Sequence, residues 1–181
     1  MDGPVFLEGE RVALRPIEEV DLEFHQQAVN DPRIWRPTGR PRPVTREQER
    51  EFIEETVPGD DSVWLLVTDD STRVGVVALR EIEWTDRWGT LGYWIHPDHQ
   101  RQGYGSEAVA LLVDYGFQHL GLHRVEARTF AHNEASRALA ESVGFTEEGV
   151  ERERAFVDGD YCDVVRYGLL THEWDGPPSA D

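Results

Sequence analysis

The spacing of apolar residues changes period several times along the chain, and each change marks an element. Glu10-Arg11-Val12-Ala13-Leu14-Arg15-Pro16 alternates polar and apolar positions and stops at a proline, which predicts a short first strand. Leu22, Ala28 and Val29 place a helix between Glu18 and Val29, ended by Asp31-Pro32. The Pro-, Arg- and Gly-rich run from Arg33 to Val44 reads as a long loop, the kind that walls a substrate cleft. Thr45-Arg46-Glu47-Gln48 is a capping box that opens a helix to about Thr56, where Pro58-Gly59 stop it. Strands follow at Ser62–Val67, Arg73–Leu79 and Trp88–Ile95, the first two joined by the turn Asp69-Asp70-Ser71.

From Ala108 to Phe117 the chain is apolar on nearly every side. Only Glu107, Asp114 and Gln118 form a polar stripe, so this helix is expected to lie buried against a sheet. A strand is predicted over Arg124–Phe130. A helix capped by Asn133 follows, with Ala135, Leu139 and Val143 on its inner face and Gly144 as its stop. Val150–Val157 and Tyr161–Leu170 are joined by Asp158-Gly159, a hairpin signal. The predicted architecture is an α/β fold: about seven strands in a mixed sheet covered by four helices. One domain over residues 5–174 is expected, with a polar, proline-rich tail at 175–181 expected to fray.

Between the strand ending near His96 and the long helix lies Gln100-Arg101-Gln102-Gly103-Tyr104-Gly105-Ser106. Gly103 and Gly105 can take positive φ and leave no side chain in a ligand's way. The helix start behind them has N–H groups without internal partners and carries roughly half a positive charge, a ready anion site. Arg101 adds a counter-charge beside it. A plain strand-to-helix turn would also need glycine.

Composition narrows the function classes. The chain has 36 acidic and 18 basic residues, the latter all Arg, for a net charge of −18. That balance argues against a nucleic-acid surface, which needs clustered cations. The periodic segments argue against disorder. A cytoplasmic protein of a salt-accumulating halophile fits best, because molar salt screens self-repulsion to within about 3 Å. The surplus carboxylates would attract cationic substrates except under that screening. Cys162 is the single cysteine, so no internal disulfide forms and a reducing compartment is expected. No run of about 18 apolar residues predicts a membrane span, and the acidic start Met1-Asp2-Gly3-Pro4 lacks an apolar signal region. His96 and His99 are spaced as metal ligands could be, but nothing completes a set, so no metal is expected.

Gly103-x-Gly105-x-x-Ala108 also satisfies a dinucleotide fingerprint, with Glu126 at about the distance of a ribose contact. Seven residues, His96 to Gln102, separate strand from glycine, however, and too few elements remain downstream for a doubly wound sheet. The same run resembles the acetyl-CoA motif (Q/R)-x-x-G-x-(G/A) of the GNAT superfamily of N-acetyltransferases. Gly92-Tyr93-Trp94-Ile95-His96-Pro97 before it and Asn133-x-x-Ser136…Ser142-Val143-Gly144-Phe145 after it extend the resemblance. With Arg152-Glu153-Arg154 and the Asp158-Gly159 hairpin, the pattern is similar to the RimJ/RimL-type branch, which acetylates protein N-termini and other amines.

This resemblance implies a GNAT-like acyl-CoA N-acyltransferase fold with acetyl-CoA as cosubstrate. Its pyrophosphate would rest on Arg101, Gln102, Gly103, Tyr104, Gly105 and Ser106, and its pantetheine arm would run beside Trp94, Ile95 and His96, with Asn133 nearby. The acetyl carbonyl would be polarised by a backbone N–H there. RimI-like relatives use a Tyr acid where this chain has Ala140. RimL-like relatives use a Ser matching Ser136, and a partner carboxylate where this chain has Ala155, two residues from Glu153. Relatives often carry Glu at the position of Thr90, and Glu126 lies on the strand where RimI-like relatives place a base. Ser136 and Glu126 are therefore the expected proton-handling residues. Trp35, Trp84 and Trp88 could line an acceptor pocket. The expected acceptor is a protein N-terminal α-amine, with small-molecule amines next. The departures at Thr90, Ala140 and Ala155 also fit a non-catalytic acyl-CoA sensor or scaffold. Surface tryptophans and the final hairpin leave a homodimer open.

Overall fold

The computed structural model describes residues 3–177, so residues 178–181 of the expected tail lie outside the described residues. Eight strands form one twisted sheet in the order β1-β2-β3-β4-β5-β6-β8-β7. They span Leu7–Glu8 (β1), Ala13–Pro16 (β2), Val63–Asp69 (β3), Thr72–Glu83 (β4), Trp88–Ile95 (β5), Arg124–Phe130 (β6), Thr146–Val157 (β7) and Asp160–Leu170 (β8). Neighbours run antiparallel except β5 and β6, which run parallel. The two-residue β1 is an addition to the expected set; it is too short to show an alternation of its own.

Among the described residues five α-helices cover the sheet. Leu22–Val29 (α1), Pro32–Thr38 (α2) and Arg46–Glu51 (α3, continued by a π-helical turn over Phe52–Thr56) lie in the first half, and Tyr104–Gln118 (α4) and Glu134–Val143 (α5) in the second. The capping box holds as read: Thr45 Oγ1 accepts from Gln48 N–H at 3.2 Å, and Gln48 Oε1 accepts from Thr45 N–H at 2.9 Å.

The loop expected from Arg33 to Val44 begins instead as α2. Asp31 caps it, its carboxylate accepting Arg33 N–H at 2.8 Å, and Pro32 occupies the first helical position. A proline that ends one helix is equally suited to begin the next, because its missing N–H is unneeded there and its φ is already helical. Gly39, at φ 69°, closes α2 in the left-handed region, and an added Cβ would meet the Phe130 ring.

Two apolar layers follow from strand alternation. Leu65, Val67, Val77 and Leu79 pack against Val109, Leu112 and Val113 of α4. Leu66 and Val76 face the other way, against Leu22, Ile53 and the rings of Phe52, Trp64 and Trp94. Val109, Leu112 and Val113 are each fully buried, which is worth roughly 1.5–3 kcal/mol per side chain and fixes α4, with its N-terminus, against the sheet. No helix among the described residues is long and apolar enough to cross a membrane.

Candidate active site

The sheet is open where β5 and β6 meet. Their register runs Trp88–Arg124, Gly89–Val125 and Thr90–Glu126, and beyond Thr90 the strands part. His96 N–H donates to Val74 C=O at 2.8 Å, and Trp94 pairs in register with Val76. Antiparallel alternation therefore turns the backbone groups of Trp94 and His96 toward β4, and those of Tyr93 and Ile95 into the gap. The Ile95 carbonyl accepts from Gln100 Nε2 at 2.9 Å, which draws the following loop across the gap's mouth.

That loop carries α4's exposed end. The helix's first internal bond is Glu107 N–H to Gly103 C=O at 3.2 Å, so the N–H groups of Tyr104, Gly105 and Ser106 face outward. Gly103 has φ 84°, as anticipated, but the second left-handed residue is Arg101, at φ 61°, and not Gly105. Gly105 lies within the helix and is required for close approach instead: a Cβ would stand 3.0 Å from Leu139 Cδ1 and 3.4 Å from Ile95 Cγ1. Arg11 holds the loop from behind, its Nη1 donating to Gln102 C=O at 2.7 Å and its guanidinium filling the space a Gly103 side chain would need. Tyr104 Oη donates to Asp69 Oδ2 at 2.5 Å, and that bond, first among its causes, pushes the phenol's pKa upward.

A cleft of about 510 Å³ opens on this face, lined by Trp94, Ile95, Arg101, Gly103, Tyr104, Gly105, Ser106 and Asn133, all expected there, and by Ser136. His96 and Gln102 do not line it. The His96 ring lies 6.2 Å from Phe24, and Gln102 faces Arg11 through its carbonyl. Asn133 is the N-cap of α5, its Oδ1 accepting Ser136 N–H at 3.1 Å. Helix end, open gap and glycine-cleared floor suit a phosphate-bearing cosubstrate with an extended arm. Among the described residues no three ligand-type side chains gather as a metal group.

A second cavity, of about 330 Å³, reaches the gap through the other face of the sheet. The two share Ile34, Pro37 and Thr38 of α2 as a lip, and meet at Tyr93, Trp94, Ser136 and Leu139. Tyr93 Oη and Ser136 Oγ lie 2.9 Å apart. Burial raises the Tyr93 pKa, with the Ser136 hydrogen bond pulling weakly the other way, so the phenol stays protonated through neutral pH. Tyr93 was missed as a functional residue in the sequence. Its signal was its place two before Ile95 on the gap side of β5.

The carboxylates fall differently from expectation. Glu126 is not brought to either cavity: it sits at the closed end of the gap, Oε1 2.8 Å from Arg124 Nε and Oε2 3.8 Å from an Arg166 nitrogen. Arg124 is shared with Glu148, whose pKa it lowers. Glu153 is exposed at φ 50°, its N–H donating to Asp163 Oδ1 at 2.8 Å. Glu151 lines the second cavity instead, and its Oε2 is buried without a hydrogen-bond partner. A bulge between Glu151 and Ala155 re-aims these side chains, which strict alternation from Ala155 does not foresee. Thr90 is buried, its hydroxyl 3.3 Å from Glu81 Oε2, while Ala140 and Ala155 offer the second cavity only methyl groups. Trp35, Trp84 and Trp88 line neither cavity; Trp64 and Trp94 do so in their place. Trp84 Nε1 donates to Asp60 C=O at 3.1 Å, and Trp88 opens β5.

Comparison with known proteins bears on this arrangement. The model of the acetyltransferase (GNAT) domain family matches residues 11–146. The putative ribosomal N-acetyltransferase YdaF of Bacillus subtilis is 36% identical over 107 residues, 59% of this chain and 58% of that protein. The uncharacterized N-acetyltransferase YoaA of Bacillus subtilis is 30% identical over 91% of this chain and 96% of its own length. Among solved structures, spermidine N-acetyltransferase from Vibrio cholerae in complex with CoA and spermine superposes with a TM-score of 0.86 at 27% identity, covering 91% of this chain and 98% of that one. The forked sheet, the open α4 end and the residues around them are thus those of a chain that belongs to the GNAT acetyltransferase family and is an N-acetyltransferase.

Proposed function

We propose that the protein moves an acetyl group from acetyl-CoA directly to a primary amine, the first acceptor being a protein N-terminal α-amine, as in the RimJ/RimL branch. One observation carries this reading: two cavities enter the gap between β5 and β6 from opposite faces and meet at Tyr93 and Ser136. The open α4 end on one side fits the pyrophosphate of a cosubstrate such as the CoA bound in the Vibrio cholerae relative, and the other side admits the amine. The similarity to YdaF supports a protein acceptor, and the similarity to spermidine acetyltransferases keeps small amines as the second class.

The residues divide the chemistry as follows. The N–H groups of Tyr104, Gly105 and Ser106 hold phosphate oxygens. Backbone N–H groups of Tyr93 or Ile95, facing the gap, polarise the acetyl carbonyl and hold the oxyanion formed when the amine nitrogen attacks. Glu151, with its unpartnered oxygen, accepts the proton that the ammonium must lose. As the C–S bond breaks, Ser136 Oγ–H protonates the departing thiolate, Tyr93 Oη–H, 2.9 Å away, replaces that proton, and the second proton shed by the nitrogen as it becomes an amide restores the Tyr93 phenol. Holding amine and thioester together supplies much of the rate. No covalent enzyme intermediate is needed.

A cytoplasmic location is part of this reading, with Cys162 the single cysteine and a half-buried free thiol. Phe156 and Tyr161, exposed at the final hairpin with rings 5.2 Å apart, are the surface on which a homodimer would form. Coenzyme A release, followed over a panel of peptides and amines, tests the function. Turnover on an α-amine supports it. Tight acetyl-CoA binding with no turnover on any acceptor would move the assignment to a non-catalytic acyl-CoA sensor.

A further inference from the structure

The charge lining the acceptor cavity is opposite to that of the chain. Against 36 acidic and 18 basic residues overall, the cavity between Glu151 and the gap is lined by Arg40, Arg80, Arg128 and Arg154, with Glu151 its only carboxylate. Glu151 lies 4.0 Å from Arg154. Arg40, Arg80 and Arg128 take part in no ion pair among the described residues, in a protein where carboxylates outnumber arginines two to one.

Arg80 is the built part of this site. It rises from β4 on the face of Val76, and Gly92 of β5, paired with Ala78, leaves the room it occupies: a Cβ there would come within 2.9 Å of Arg80 Nε. Its guanidinium lies 5.9 Å from the Trp64 ring. Arg80 Nε and Trp64 Nε1 are both buried and without a hydrogen-bond partner. Buried donors left unpaired are costly unless something else accepts from them. Arg40 reaches the same cavity from the segment after α2. Its side chain is exposed, yet the surrounding protein atoms and, after them, the nearby Arg80 charge lower its pKa. Glu49, whose opposite charge acts on it, is itself engaged with His25. These cations do not serve the phosphates, which the α4 end draws to the other cavity across the sheet.

We infer that the acceptor is a carboxylate-bearing amine, its anion seated between Arg80 and Arg40 while its amino group faces Glu151 and the gap. Planar guanidinium groups match a carboxylate in pairs, and Trp64 Nε1 supplies a further donor. A polyamine, cationic along its length, meets three unpaired arginines here and is disfavoured. This inference rests on the acetyltransferase reading and deepens it by specifying the acceptor.

Coenzyme A release with matched acceptors tests it. One arm compares the peptide amides Glu-Ala-Ala-Ala and Gln-Ala-Ala-Ala. A second compares free glutamate with glutaminamide, and spermidine stands as the cationic control. The acidic member of one arm is expected to have a kcat/KM roughly 10-fold or more above its neutral partner, carried mainly by KM, with spermidine lowest. The arm that responds tells a protein N-terminus from a small molecule. R80Q and R40Q should each bring that ratio toward one while leaving the acetyl-CoA Kd unchanged; R40Q changes an exposed residue and keeps the test independent of folding. Neutral peptide or spermidine used as well as the acidic acceptor would overturn the inference. Should no amine be acetylated, the transferase reading fails separately. Calorimetric titration of the same pairs into the CoA-bound protein then decides this one: preference for the acidic partner upholds the anion seat, and equal binding removes it.

Discussion

Gly103→Ala probes the phosphate cradle with the smallest possible side chain. At φ 84° an alanine pays the left-handed penalty, about 1 kcal/mol or slightly more. Its methyl group also lands on the Arg11 guanidinium, which must swing away and give up its bond to Gln102 C=O. Because the Arg11 side chain is 57% exposed, that charge-assisted bond is discounted to about 0.5–1 kcal/mol. The sum is about 2 kcal/mol, which in a domain of this size lowers Tm by about 4–8 °C. Differential scanning calorimetry on the wild type, R11A, G103A and the double variant separates the two parts. The αL cost persists in the double variant, whereas the collision with Arg11 does not. The double variant should therefore be less destabilised than the sum of the singles by about 0.5–1 kcal/mol, above the usual error of additivity. Acetyl-CoA affinity in G103A should fall about 10-fold, and further in G103E, whose longer side chain must displace the Arg11 guanidinium behind the loop and brings a negative charge near the phosphates. A G103A protein as stable as the wild type, with unchanged acetyl-CoA Kd, would refute the cradle as described.

Four further outcomes follow from the site and the charge. S136A should lower kcat by about 10²-fold through loss of the proton donor, with little change in acetyl-CoA Kd. Because burial raises the Tyr93 pKa above its ordinary 10.0, the phenol remains a donor on the alkaline side, and the wild-type rate should hold to beyond that pH; an alkaline loss centred well below it would argue against the Tyr93–Ser136 relay. E151Q should cost about 10²-fold in kcat/KM at pH 7 and progressively less above the acceptor's own pKa, about 8 for an α-amine, where the substrate arrives unprotonated; a pH-independent deficit would make Glu151 a binding group only. With a net charge of −18, Tm should climb steeply from low salt to molar KCl, and a flat dependence would remove the halophilic reading.

Features set by near neighbours were legible from residues alone. The apolar wrap of α4, the Thr45 capping box, the Asn133 cap and the Asp158-Gly159 hairpin all stand where the pattern put them, because each depends on neighbours within a few positions. What escaped depends on partners far along the chain. Pro32 reads as a stop until Asp31 is seen to cap a new helix. Gly105 is demanded by Leu139 on another helix, and the positive φ assigned to it belongs to Arg101. The bulge before Ala155 turns Glu151, rather than Glu153, toward the gap, and no local rule locates a bulge in a run of alternating Glu and Arg. Glu126 was read from its strand position; only three dimensions show Arg124 already holding it.

Charge was the feature most easily misread, because the total and the site have opposite signs. A carboxylate surplus suggests attraction of cations, yet screening decides at what range each charge acts. In molar salt the Debye length is about 3 Å, so the acidic exterior steers nothing over distance. Arg80, its Nε buried at the cavity wall, acts at contact and is screened far less. The preference for an acidic over a neutral acceptor should then survive a rise from about 0.1 to 1 M KCl with a loss of less than 10-fold, while any advantage carried by long-range steering would vanish. Measuring the kcat/KM ratio of the acidic to the neutral member of the responding pair at both salt concentrations separates the two. A ratio that collapses to one at high salt, with the protein still folded, would assign selectivity to the surface field and take it away from the arginine-lined cavity.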